Sequence, residues 1–182
     1  MRKLEGIMTD IDEILSMTLR EFIERHKREL PRYVVVGEDV TFKNILNTLH
    51  KSIDYEEKGV EVIVIVDKDR KPIGIIEDLE LIEILSPHGR WSLSILRPPI
   101  GRKTRKIVDL LNLPIRHIAR MFHPVLHADA TIKEALDHMD RLRSRYIIVV
   151  DEEERLLGVI SSRNILSKII EKLMEMQRYG IH

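Results

Sequence analysis

The chain repeats itself. The segment VIVIVDKDRKPIGIIEDLEL begins at Val62, and YIIVVDEEERLLGVISSRNI begins at Tyr146. Asp67 and Asp151, Gly74 and Gly158, and Glu80 and Asn164 each stand 84 positions apart. An earlier pair, GEDVTFKNIL and HADATIKEAL, matches with Thr41 against Thr131, 90 positions apart. The change from 90 to 84 places six extra residues in the first copy, between its helix and its strand. Tandem copies of one αβ unit imply a body of pseudo-two-fold symmetry with two equivalent clefts.

The hydrophobic pattern gives each copy the same order of elements. In the first, Tyr33 to Val36 read as a short buried strand. Thr41 then caps a helix whose apolar face is Phe42, Ile45, Leu46, Leu49 and Ile53. VEVIVIV is the next strand, DKDRKP a polar turn, Ile73 to Ile76 the strand after it, and Leu79, Ile82 and Leu85 mark a second helix. In the second copy HPVLH is the first strand, and Thr131 with Glu134 forms a capping box. Ile132, Ala135, Leu136, Met139 and Leu142 make the following helix face, and a hairpin and a closing helix over 162–176 complete the unit. The inward face of that helix is expected to be Ile165, Leu166, Ile169, Ile170 and Leu173. Each unit is therefore β-α-β-β-α, its first crossover right-handed. Ahead of both, Ile11, Ile14, Leu15, Leu19, Phe22 and Ile23 predict one amphipathic helix ended by Pro31. The expected partition is an N-terminal helix over 1–30, unit 1 over 31–86, a connector over 87–113, unit 2 over 114–176 and a tail over 177–182, in a mixed α/β (α+β) fold.

Several function classes are excluded by composition. The 182 residues include no cysteine, which removes disulfides, thiol catalysis and zinc sites built on Cys. Thirty basic residues balance thirty acidic ones, which argues against binding nucleic acid or a membrane through overall charge. The longest unbroken apolar run, Val62 to Val66, is far short of the ~20 residues that span a bilayer. The first ten residues, MRKLEGIMTD, hold no apolar signal region, and a cytoplasmic, unprocessed protein is expected. No Gly-x-Ser-x-Gly elbow, phosphate-binding loop or HExxH motif is present, so no enzyme is expected. His123 and His127 flank a short strand, with no third ligand of evident geometry, and no metal site is expected.

The doubled β-α-β-β-α unit resembles a tandem pair of CBS domains, the Bateman module. In each copy a strand runs into Asp, a turn, Gly, two apolar residues and a polar residue that opens a helix. The similarity covers roughly residues 32–174. It implies two units packed through their sheets, with clefts that take adenosine-containing ligands. The family's site pattern, Gly–apolar–apolar–(Thr/Ser)–x–x–(Asp/Asn), is matched by Gly158, Val159, Ile160, Ser161, Ser162, Arg163 and Asn164. The resemblance gives Ser161 the phosphate or ribose and Asn164 the ribose hydroxyls, though Asp is commoner at that last position. It places Pro124, Ser144, Tyr146 and Val159 against the base.

Elementary chemistry supports that placement. Ser161 sits where a strand becomes a helix, and a helix N-terminus stabilises a phosphate through its dipole and free amides. Arg163, with Arg141, Arg143 and Arg145, supplies positive charge. Ser161-x-x-Asn164 is also the pattern of an ordinary helix cap. The first copy, with Gly74, Ile75 and Ile76 in the matching places, departs from the family pattern at Glu77 and Glu80. A carboxylate ~6 Å from a phosphate charge, at an effective dielectric of ~20, costs about 3 kcal/mol, roughly a hundredfold in affinity. The second cleft is thus expected to bind and the first to be empty or to take a neutral or cationic ligand.

The expected function is a stand-alone regulatory CBS pair, without a resident cofactor. It would sense AMP, ADP, ATP or S-adenosylmethionine mainly in the second cleft, form a homodimer through its terminal helix, and signal to a separate partner protein. The alternative is a scaffold or nucleic-acid interaction module using Arg97, Arg102, Lys103, Arg105 and Lys106 of the basic connector. No aromatic is interleaved with that basic run, which argues against a stacking platform for single strands.

Overall fold

A computed structural model describes residues 11–55, 59–85, 110–118 and 124–178. It is a mixed α/β structure with two three-stranded sheets, ordered β1-β2-β3 and β4-β5-β6. The chain divides into two compact units, Arg32–Phe122 and a second made of Met1–Pro31 with His123–His182. The basic connector residues and His123 lie outside the described residues.

The first-copy unit runs β1 (Tyr33–Gly37), α2 (Phe42–Tyr55), β2 (Val62–Val66), β3 (Pro72–Glu77) and α3 (Asp78–Leu85), followed by a 3-10 turn at Ile115–His117. β1 pairs parallel to β2 from Tyr33↔Val62 to Gly37↔Val66, and β3 returns antiparallel. All five residues of β2 are buried, which is why the strand is an unbroken Val/Ile run rather than an alternation. One face of the sheet sends Ile63, Ile65 and Ile76 into a cluster with Phe42, Ile45, Ile84 and Ile115.

The second-copy unit contains β4 (Val125–His127), α4 (Ile132–Leu142), β5 (Tyr146–Val150), β6 (Leu156–Ser161) and α5 (Ser162–Arg178). Its pairing repeats the first: β4 parallel to β5, β5 antiparallel to β6. Both hairpin turns are built by the aspartates 84 positions apart. Asp67 Oδ1 accepts from the backbone N–H of Asp69 and Lys71, each at 2.9 Å. Asp151 Oδ1 does the same for Glu153 and Arg155, at 3.0 and 2.8 Å. An Asp side chain that closes a turn on its own backbone is a local instruction, and it is identical in both copies. Each turn also holds one non-glycine residue at positive φ, Arg70 at 65° and Glu154 at 61°.

Each unit is completed by the segment that precedes the other copy. In the second-copy unit Leu19 N–H donates to Ala130 O (2.8 Å), Arg20 N–H to Ala128 O (2.9 Å) and Ile132 N–H to Met17 O (2.9 Å). In the first-copy unit Ile115 N–H donates to Val40 O (2.8 Å), Arg116 N–H to Glu38 O (3.3 Å) and Phe42 N–H to Leu113 O (3.0 Å). Ion pairs Arg20–Asp129 and Arg116–Asp39 accompany them. Residues 17–20 and 113–116 are thus a third matching stretch, 96 positions apart. The first copy carries six more residues between this stretch and its first strand.

Two expectations are corrected, the continuous N-terminal helix and the inward faces of α4 and α5. The N-terminal helix is not continuous: residues 11–16 are helical, the chain breaks at Met17 and Thr18, and α1 is Leu19–His26. Thr18 forms a capping box with Glu21 and bridges to Thr131, so it starts a new helix instead of continuing the old one. The helix marked by Leu79, Ile82 and Leu85 is present as α3, where Ile84 is buried with Leu81 beside it and Ile82 is 61% exposed. On α4 and α5, Leu142, Leu166, Ile170 and Leu173 are exposed, and among the described residues of α5 only Ile165 is fully buried. The helical period is right, but the inward arc is narrower than the apolar one. Among the described residues no helix is long and apolar enough to cross a membrane.

Candidate functional site

The residues expected to touch a ligand come together where β6 turns into α5. Ser161 is the last residue of β6, pairs in register with Tyr146, and is only 6% exposed. The next N–H, that of Ser162, donates to Arg145 O at 2.8 Å, fixing the exit of the strand. Asn164 reaches back over this junction. Its Oδ1 accepts from Ser161 N–H at 3.0 Å and from Ser161 Oγ–H at 2.6 Å, while Asn164 N–H donates to Ser161 Oγ at 3.2 Å. The pair is therefore a reciprocal cap, and the capping pattern read from Ser161-x-x-Asn164 is realised in the same atoms proposed to meet a ligand.

The remaining residues line the same end of the sheet. Pro124 is buried and its carbonyl accepts from Ile148 N–H at 3.0 Å. Ile148 pairs with Val159, which is fully buried. Ser144 folds its hydroxyl onto Tyr146, donating to the carbonyl at 2.8 Å and accepting from the N–H at 3.3 Å. Arg145 places its guanidinium 5.7 Å from the centroid of the Tyr146 ring, a cation–π arrangement at the start of β5. Arg163 is exposed. Arg143 differs: it ends α4 at φ 52° and its guanidinium pairs with Asp140 at 3.0 Å.

Two residues of the site carried no signal in the sequence. The Asn164 amide donates from Nδ2 to the backbone carbonyl of Glu29 at 2.6 Å, and the Glu29 carboxylate meets Lys168 Nζ at 2.7 Å. That hydrogen bond, with Glu171 beside it, raises the Lys168 ammonium above its ordinary pKa. The Glu171 carboxyl is held below its ordinary value, first by its hydrogen bond to Lys168 and then by Ser167. The segment leading to Glu29 is seated by Ile23: a Cβ added to Gly158 would lie 3.1 Å from its Cδ1, close enough that the Ile23 side chain would have to give way.

In the first copy the matching junction is built differently. Glu77 N–H donates to Glu80 Oε2 at 3.3 Å, so Glu80 performs the backbone cap that Asn164 performs in the second copy. Ile75 is buried opposite Val64. At the other end of this sheet, a depression of about 410 Å³ is lined by Asp39, Thr41, Asn44, Asp67 and Lys68. Two of its acids are occupied structurally: Asp39 pairs with Arg116, and Asp67 closes its hairpin turn.

Residues 112–171 match the family profile described as the CBS domain. No curated protein sequence matches the chain. Among solved structures, the chain is similar to a CBS domain-containing protein from Bacillus anthracis at TM-score 0.59 and 18% identity, covering 88% of this chain and 98% of that one. A CBS domain protein from Pyrobaculum aerophilum complexed with AMP aligns at TM-score 0.56 and 17% identity, over 85% and 99% of the two chains. The cytosolic domain of the Mg2+ channel MgtE in complex with ATP aligns at TM-score 0.52 and 21% identity, over 76% and 45%.

Proposed function

We propose that this chain, which holds a CBS domain at residues 112–171 and has the fold of a tandem CBS pair, is a non-catalytic regulatory module that binds an adenine nucleotide or other adenosyl ligand in its second-copy cleft. The observation that carries the reading is the convergence of Ser161, Asn164, Pro124, Tyr146 and Val159 on one strand-to-helix junction. That junction offers a hydroxyl and a side-chain amide at the positive end of the α5 dipole to a phosphate-bearing sugar, next to an apolar wall for a purine. Structures of similar fold contain AMP or ATP, which supports the ligand class.

In this reading the first-copy cleft does not take a nucleotide. Glu77 and Glu80 set carboxylates where a phosphate and a ribose would lie, at the cost of roughly a hundredfold worked out above. Output passes to a separate protein by a shift between conformations that the ligand binds unequally. The exposed apolar residues Leu166, Ile170, Leu173 and Met174 on α5 are the homodimer face, because an uncovered stripe of that kind is satisfied by a second copy of itself. A thermal-shift and calorimetry series with AMP, ADP, ATP and S-adenosylmethionine tests the proposal. One of these ligands is expected to bind, and Ser161→Ala combined with Asn164→Ala is expected to abolish it. Failure of all four to bind would refute it.

A further inference from the structure

Glu29 touches the second-copy site twice. Its backbone carbonyl faces the Asn164 amide at 2.6 Å, and its carboxylate faces the Lys168 ammonium at 2.7 Å. Asn164 and Lys168 are four residues apart on α5, so they share one face a single turn apart. An oxygen held by an amide, with an anion held by an ammonium one turn away, reproduces the polar pattern of a ribose hydroxyl followed by a phosphate.

We infer that Glu29 is an internal pseudo-ligand of the second-copy site, and that Lys168 is an anion-binding residue of that site, available to a ligand phosphate once Glu29 leaves. The inference rests on the proposed binding of a nucleotide at Asn164 and adds its regulation. Three further observations converge on it. First, Glu29 lies in the stretch where the first copy is six residues longer than the second, so the reach to Asn164 belongs to an insertion and not to the shared unit. Second, Asn164 is an amide where its first-copy counterpart, Glu80, is a carboxylate. Its Oδ1 is committed to two donors of Ser161, so reversing the amide would set N–H against N–H and oxygen against the Glu29 carbonyl. Only an amide both caps Ser161 and holds Glu29. Third, Lys168 is mostly shielded, with 16% of its side chain exposed, although it is a long cation on an otherwise solvated helix edge.

Ligand entry then exchanges partners. Ribose hydroxyls replace the Glu29 carbonyl at Asn164, a phosphate replaces its carboxylate at Lys168, and the segment from Ile23 to Leu30 is released. That segment begins with the last turn of α1, the helix that carries Phe22 into the core of the same unit. Binding is thereby coupled to the N-terminal segment.

The test compares AMP with adenosine by calorimetry on the full chain, in the wild type, Glu29→Ala, and Glu29→Ala combined with Lys168→Met. Amide hydrogen exchange across residues 23–30 is measured alongside. Glu29→Ala is expected to tighten AMP by about threefold to tenfold and adenosine by less, because a partly exposed ion pair is removed and Lys168 keeps only Glu171, at 3.0 Å, of its two carboxylate partners. Adding Lys168→Met is expected to erase the advantage of AMP over adenosine. Saturating AMP is expected to accelerate exchange over 23–30 in the wild type. Wild-type binding with no change in Glu29→Ala, or exchange over 23–30 that AMP leaves unaltered, overturns the pseudo-ligand while sparing the site. No binding of either compound to any variant overturns both.

Discussion

Replacing Phe22 with alanine separates two accounts of the N-terminal segment by magnitude. An amphipathic helix lying loosely ahead of two domains would lose little, about 0.5 kcal/mol, as for most surface substitutions. In the structure Phe22 is fully buried, in a cluster with Leu19, Ile132, Ala135, Met139, Ile147, Val149 and Ile160 of the second-copy unit. Truncating a fully buried Phe costs about 3–5 kcal/mol, the lost transfer energy plus that of the cavity left behind. A loss of that size is a large share of a domain's stability. Urea denaturation gives the total, and native-state hydrogen exchange gives its location. The expected result is a loss of about 3–5 kcal/mol, with protection reduced in β5 and β6. A loss below 1 kcal/mol, or one that spares β5 and β6, would refute the docking of residues 17–22 into the second-copy core.

Other consequences follow from single contacts. Asp151 is held below its ordinary pKa, first by the Arg155 backbone N–H and then by the Arg155 side chain. A lowered carboxyl stabilises the folded state above its unfolded pKa, near 3.9, and that contribution is lost as pH falls through the lower folded value. Asp151→Asn is therefore expected to flatten the acid limb of a stability-versus-pH curve, and an unchanged limb would contradict the assignment. Gly158→Val is expected to destabilise the chain by about 1–3 kcal/mol in thermal denaturation, because Ile23 already stands 3.1 Å from a first carbon there. A neutral outcome would mean that the segment through Ile23 is not seated on β6. The proposed dimer face predicts a dimeric wild type and a folded monomer for Leu166→Lys with Ile170→Lys by light scattering, and a monomeric wild type or a retained dimer mass in the variant would contradict it.

What the sequence disclosed depended on how local the chemistry was. The hairpins were legible because Asp67 and Asp151 act on backbone groups two and four residues away, so the instruction lies within the turn itself. The capping box of Thr131 and Glu134 was readable for the same reason, and it is present. Burial was less legible. Periodicity says that Leu166, Ile170 and Leu173 share an arc with Ile165, but not where the covering ends, and three of the four proved exposed. The third repeat was hidden because Met17-Thr18-Leu19-Arg20 and Leu113-Pro114-Ile115-Arg116 share mainly a backbone conformation and the position of one arginine. The site divided along the same line. Ser161 and Asn164 are three residues apart and were visible, but the Asn164–Glu29 contact spans 135 residues and uses a backbone carbonyl, which no side-chain pattern announces.

The central claim is that one nucleotide site operates per chain, and that it is built on Ser161 and Asn164. Calorimetric titration of the full chain with AMP, run beside Ser161→Ala/Asn164→Ala and Glu77→Ser/Glu80→Asp, tests it directly. The account predicts a stoichiometry of one in the wild type, no binding in the first variant, and a gained second site in the variant that gives the first copy the family pattern. Two equal sites in the wild type, or binding that survives the loss of Ser161 and Asn164, would contradict it.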